Sequence, residues 1–149
     1  MNRYPLLLMF ALLALSWPLS LVLPLTPFNF TGQAYLKIIG YILICVGTLI
    51  LLSAAGLFKK IGTTIDPTKA PDKLVTTGLY QLSRNPMYLG MLMTLSGAQL
   101  ALNSLIGMTL PISFFLIMNK IVIPREEQMV ATVFCGQYDE YKTRTRRWI

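Results

Sequence analysis

Two short stretches hold most of the residues in this chain that could do chemistry. The first runs Leu74-Val75-Thr76-Thr77-Gly78-Leu79-Tyr80 and continues through Arg84-Asn85-Pro86-Met87-Tyr88-Leu89-Gly90. The second runs Pro124-Arg125-Glu126-Glu127 and continues through Phe134, Tyr138 and Tyr141. A glutamate binds a cation or takes a proton. An arginine presents a rigid fork of donors to a carboxylate or phosphate, and tyrosine faces attract cations. The sequence contains no histidine, which excludes a Ser-His-Asp triad, a Cys-His pair and histidine-ligated zinc. Cys45 and Cys135 fall in a predicted helix centre and in the charged tail, and both are expected to be free thiols.

Each stretch also has a plainer role. Asn85 before Pro86 suits a helix N-cap and first turn, and Arg84 can extend to headgroups. Pro124 with Glu126 and Glu127 reads as another helix start, with the acids on the positive end of its dipole. The tyrosines suit an aromatic belt at a membrane surface. What favours chemistry is that the segment between the two stretches must return to the side it left, so both meet at one face.

That segment is apolar, as is most of the chain. Of 149 residues, 54% are hydrophobic and 13% charged, with a mean hydropathy of +0.59. Charge-free runs extend from Tyr4 to Leu36, from Ile38 to Phe58 and from Asn85 to Asn119. A spanning helix needs ~20 apolar residues and must satisfy its backbone internally. The pattern predicts an all-α, polytopic membrane protein, a single domain over 1–149. About four transmembrane helices are expected, near 4–25, 38–58, 86–102 and 105–123. A loop over 59–84 and a tail over 124–149, the latter a helix at the interface, complete it. Pro18 and Pro111 are expected to distort their helices. Turns are expected at Pro24, Pro27 and Phe28-Asn29-Phe30, at Asp66-Pro67, at Ala70-Pro71-Asp72, and at Asn103-Ser104. Gly40, Gly47 and Gly56 suit close helix approach. The first run exceeds a signal-peptide core and lacks a cleavage site.

The net charge of +7 follows the positive-inside rule better than it suits nucleic acid. With both ends and the 59–84 loop on one side, that side carries Arg3, Lys59, Lys60, Lys69, Lys73, Arg84, Lys120, Arg125, Lys142, Arg144, Arg146 and Arg147, against Lys37 alone on the other. The rich side is expected in the cytoplasm, with the protein in a prokaryotic plasma membrane.

Together, LVTTGLYQLSRNPMYLG, the apolar hairpin and the acidic pair followed by Phe134, Tyr138 and Tyr141 resemble the isoprenylcysteine carboxyl methyltransferase and phospholipid N-methyltransferase superfamily. Its pattern runs roughly LVTxGxYxxxRHPxYxG, hairpin, EExxLxxxFGxxYxxYxxRV. The resemblance covers about residues 72 to 146. It implies S-adenosylmethionine as cofactor, held by Leu74, Val75, Tyr80, Arg84, Asn85, Pro86, Met87, Tyr88, Gly90, Glu126 and Glu127. It further implies methyl transfer to a carboxylate, amine or thiol on a lipid-like acceptor from the bilayer, with Glu126 and Glu127 at the chemistry and Arg125 toward the substrate. Asn85 stands where the family usually has histidine, as does Asp72. Cys135 replaces a glycine, and Val122 replaces an arginine that contacts substrate in the carboxyl methyltransferases. These departures bear on the acceptor more than on the cofactor. Met87, Met91, Met93, Phe114, Phe115 and Met118 either line a route from the bilayer or pack the helices. A nicotinamide-dependent reductase related to sterol reductases is an alternative, disfavoured by the short chain. A small transporter or assembly protein is another, disfavoured because the expected spans hold no ionisable residue except Lys120.

Overall fold

A computed structural model describes residues 4–22, 32–62 and 73–149. The turns expected at residues 24–30 and 66–72, with Arg3, Lys69 and Asp72, lie outside them. Most of the described residues are helical. In order they form α1 (Tyr4–Ser20), α2 (Gln33–Ile61), a 3₁₀ turn (Gly78–Gln81), α3 (Pro86–Ala101), a 3₁₀ turn (Ile106–Met108), α4 (Thr109–Ile117), a π turn (Met118–Val122), α5 (Ile123–Val133) and α6 (Gln137–Arg144).

Two continuous helical stretches are long and apolar enough to cross a membrane, Gln33–Ile61 and Ile106–Val133. α1 and α3 are shorter, at 17 and 16 residues. α1 runs through Pro18 and ends at Ser20, five residues before its expected limit. α2 extends past the expected 38–58 at both ends, because helix continues into the polar flanks that the charge-free run omits. It stops at Gly62, whose φ of +71° lets its N–H bond back to the Lys59 carbonyl at 3.3 Å. The turn between α3 and the next helix falls at the expected place, with Asn103 left-handed at φ +53°.

α2 and α3 pack backbone to backbone. A Cβ added to Gly40 would lie 2.7 Å from the Gly97 carbonyl oxygen, and one added to Gly97 2.5 Å from that of Gly40. Gly47 and Gly90 repeat the arrangement seven residues on, at 2.6 and 2.5 Å. Seven residues is close to two helical turns, so both pairs share one seam. Gly56 has nothing within 4 Å and takes no part. α1 and α4 close the other side of α3 around Met9, Met91, Leu95, Leu110, Phe114 and Met118. Met91, Phe114 and Met118 therefore pack the core and do not line an opening. The outer faces are apolar too: Tyr4, Leu7, Phe10 and Trp17 of α1 and Tyr41, Leu49 and Leu52 of α2 are all more than half exposed. A surface of that composition suits lipid contact.

The largest difference from expectation concerns the acidic pair. Pro124 does not begin a separate helix. The helix runs unbroken from Ile106 to Val133, and it accommodates Pro124 by widening into the π turn just before it. Pro111 sits in the first turns of α4, where a missing N–H costs little. The chain reverses only at Phe134–Gly136, and α6 folds back against the 74–81 segment.

Candidate active site

The two polar stretches meet, and the two neighbouring glutamates enter different surroundings. Glu127 is held by two arginines. Arg147 donates from Nη2 to Oε2 at 2.6 Å and from Nε to Oε1 at 3.3 Å. Arg84 Nη2 lies 3.1 Å from Oε1 in a second ion pair. The Arg84 and Glu127 side chains are only 12% and 14% exposed. One carboxylate thus serves two guanidinium groups and leaves a local excess of positive charge. Arg84 Nε and Nη1 are buried and have no hydrogen-bond partner among the described residues. Buried donors ordinarily have partners, so these two are an exception at this site.

Glu126 faces the other way, toward α3. Its Oε1 accepts the Tyr88 hydroxyl at 2.7 Å. Tyr80 packs edge-on against Phe58 of α2, with centroids 5.5 Å apart. It is buried with Ala54 and Val75, and Met87 packs against this cluster. Pro86 is fully buried at the start of α3, and Gly90 faces the seam with α2. Leu74 lines a cleft of about 500 Å³ with Thr76, Thr77, Gln137, Glu140 and Tyr141. Arg125 is exposed on the outer side of α5.

Burial, before any neighbouring charge, raises the Tyr80 and Tyr141 phenols above their ordinary range. The Tyr138 phenol is pushed up to about 12, by burial first and then by Glu127. All three remain protonated donors at neutral pH. Tyr141 uses its proton on the Tyr80 carbonyl at 2.5 Å, which pins α6 to the loop before α3.

Several residues outside the sequence-derived site complete it. Ser83, fully buried, donates to the Arg147 carbonyl at 3.2 Å and accepts the Asn85 N–H at 3.1 Å. Asn85 does not cap α3 with its side chain; that amide donates to the same Arg147 carbonyl at 3.1 Å. The Arg84 N–H bonds the Arg146 carbonyl at 3.0 Å. Asn119, inside the π turn, accepts from Arg147 Nη1 at 3.2 Å and from the Trp148 indole at 3.2 Å through its Oδ1. Its backbone carbonyl, five residues before Pro124, would await an N–H that proline lacks; Arg147 Nη1 lies 3.5 Å from it. The run Thr145-Arg146-Arg147-Trp148 offers no sequence signal that one of its arginines turns inward.

This combination, an apolar helical frame with arginine, glutamate and tyrosine gathered at the mouth of one helix pair, agrees with comparison to known families. The profile of the phospholipid methyltransferase family matches residues 35–137, from the start of α2 to the start of α6, and the chain belongs to that family. It is a membrane methyltransferase acting on lipid-like substrates. No curated protein matches it.

Proposed function

We propose that this protein transfers a methyl group from S-adenosylmethionine to an amine on a lipid-like acceptor. The observation that carries the reading is the division of labour between adjacent acids. Glu127 is occupied by Arg84 and Arg147, whereas Glu126 meets Tyr88 beside apolar α3. Arg84, with two buried nitrogens unpartnered, fits the carboxylate of the cofactor's methionine moiety. The cleft beside Leu74 and Tyr141 falls within the ~300–1,000 Å³ usual for small-molecule sites. The tyrosine faces suit a sulfonium.

The bound cofactor supplies an electrophilic methyl group: the sulfur–methyl bond breaks, sulfur keeps the electron pair, and the acceptor nitrogen forms the new bond. The chain's own contribution is to align the acceptor and exclude water, which can contribute ~7–11 kcal/mol. Glu126 holds the acceptor's ammonium and takes a proton from it first, which frees the nitrogen lone pair that then attacks the methyl carbon, with Tyr88 fixing the carboxylate's orientation. A carboxylate acceptor would be repelled by Glu126 and would find Val122, not a cation, four residues before it.

In this reading α1, α2, α3 and the long helix all cross the membrane as one domain, with both ends of the chain and the 59–84 loop on the cytoplasmic side of a prokaryotic plasma membrane. Acceptors then arrive from the bilayer and the cofactor from water. The test is to incubate purified protein with methyl-labelled cofactor and defined lipids. Label should enter lipids bearing a primary or secondary amine and spare those bearing only carboxylates. Label in a carboxylate lipid would overturn the amine assignment, and absence of cofactor binding by calorimetry would overturn the reading as a whole.

A further inference from the structure

The cleft of about 500 Å³ between the 74–77 segment and α6 differs in character from the charged cluster beside it. We infer that it takes the nucleoside end of the cofactor, and that Gln81 and Gln137 read the adenine base. This rests on the cofactor reading above and deepens it, because neither glutamine is among the residues that the family resemblance implicates.

S-adenosylmethionine is charged at one end and neutral at the other. Its carboxylate, ammonium and sulfonium lie together, and its adenosine carries no charge near neutral pH. The protein divides in the same way. Arg84, Arg147, Glu126 and Glu127 gather where α3 begins. The charges on the cleft wall, Glu140 and Arg144, pair with each other one turn apart along α6 and cancel. A charged group gains no opposing charge there. The rest of the polar wall is hydroxyls and amides, from Thr76, Thr77 and Thr145 and from Gln81 and Gln137, which suit a neutral base and ribose. Tyr141 stands between the two halves. Its hydroxyl is committed to the Tyr80 carbonyl, so what it offers the cleft is ring surface. With Leu74 it supplies the apolar ground against which a base can lie. The glutamines come from facing segments, Gln81 at the end of the first 3₁₀ turn and Gln137 in the first turn of α6. A primary amide presents a donor and an acceptor side by side, the pattern that matches an adenine edge. Thr145 steadies the first of them, its hydroxyl donating to the Gln81 carbonyl at 3.4 Å. The cofactor then lies past Tyr141, with its base toward α6 and its methyl group toward Tyr88 and Glu126.

The experiment measures calorimetric binding of two probes to the full chain in detergent. One is S-adenosylhomocysteine; the other is methylthioadenosine, which keeps the nucleoside and lacks the amino acid. Gln81→Ala and Gln137→Ala, both at exposed positions, should each weaken both probes by about three- to tenfold and leave the thermal transition in place. Arg84→Ala should weaken S-adenosylhomocysteine by about tenfold or more and leave methylthioadenosine within about twofold. Because the two ends are bound apart, Gln137→Ala and Arg84→Ala should multiply in their effect on S-adenosylhomocysteine. If the fragment alone binds too weakly to measure, the glutamine variants decide through S-adenosylhomocysteine. Glutamine variants that bind as wild type overturn the inference alone. So does a defect confined to a higher KM for the acceptor, which would put the acceptor's headgroup in the cleft. A wild type that binds neither probe overturns the cofactor reading and the inference with it.

Discussion

Helix α3 is held in two different ways. Along its length Gly90 and Gly97 meet Gly47 and Gly40 with no side chain between the backbones. That contact is dry, shape-determined and without slack. At its start, α3 is held by charge and hydrogen bonds from distant segments: Arg84 to Glu127, Asn85 to the Arg147 carbonyl, Tyr88 to Glu126. The seam fixes where α3 lies, and the polar clasp fixes what its first turn presents. Dispersion contacts against backbone cannot be adjusted, whereas ion pairs can exchange partners. The part of the molecule that must admit a ligand is built from the second kind.

Perturbing the seam should have the largest effect. Gly90→Leu places atoms where α2 backbone already lies and should cost about 3 kcal/mol or more, seen as loss of a cooperative thermal transition in detergent. Gly56→Leu, in open space, should change stability by less than about 0.5 kcal/mol. If the two behave alike, the seam is not what holds α3.

The clasp should respond more mildly. Glu127→Gln leaves a nearly buried Arg84 without its acid and should cost about 1–3 kcal/mol, moderated because Arg147 is a third exposed. A transition temperature equal to wild type would mean the arginines find other partners. Tyr88→Phe removes one hydrogen bond to a carboxylate and should cost about 1–2 kcal/mol. On the proposed function it should also slow methyl transfer at saturating cofactor by roughly tenfold or more without weakening cofactor binding.

The smallest effect concerns pH. Tyr138 is raised from 10.0 to about 12 on folding, so the unfolded chain ionises first. Its stabilising contribution is complete below pH 10 and is lost as pH rises from 10 to 12. Unfolding followed by circular dichroism should show no loss from this group between pH 6 and 9. The decline above pH 10 should be shallower in Tyr138→Phe.

The sequence reveals α3 well because its boundaries are written locally: Asn85-Pro86 starts it and Asn103-Ser104 turns it. It reveals the meeting of Arg84, Tyr88, Glu126 and Glu127 through the family resemblance and the return of the hairpin. The unequal treatment of the two glutamates is not legible, since it depends on Arg147, twenty residues along the chain, and on Asn119. The seam was partly legible. Gly40 and Gly47 stood out, but only the matching seven-residue spacing of Gly90 and Gly97 separates them from Gly56, which contacts nothing. No separate helix begins at Pro124, because a proline signals a break only when the preceding turn cannot widen.

That widened turn sets the angular phase of everything beyond it. A π turn carries one surplus residue, so Met118–Val122 rotates the downstream residues by about 100° relative to an uninterrupted α-helix. A helical wheel drawn through 106–133 is therefore valid only up to Ile117 and must be restarted at Ile123. The bilayer-facing stripe of α4 and the acid-bearing stripe of α5 belong to two different frames on one rod. Shortening the turn by one residue would return Pro124 to a regular helix interior, straining the rod there, and would swing Glu126 and Glu127 together off Tyr88 and Arg84.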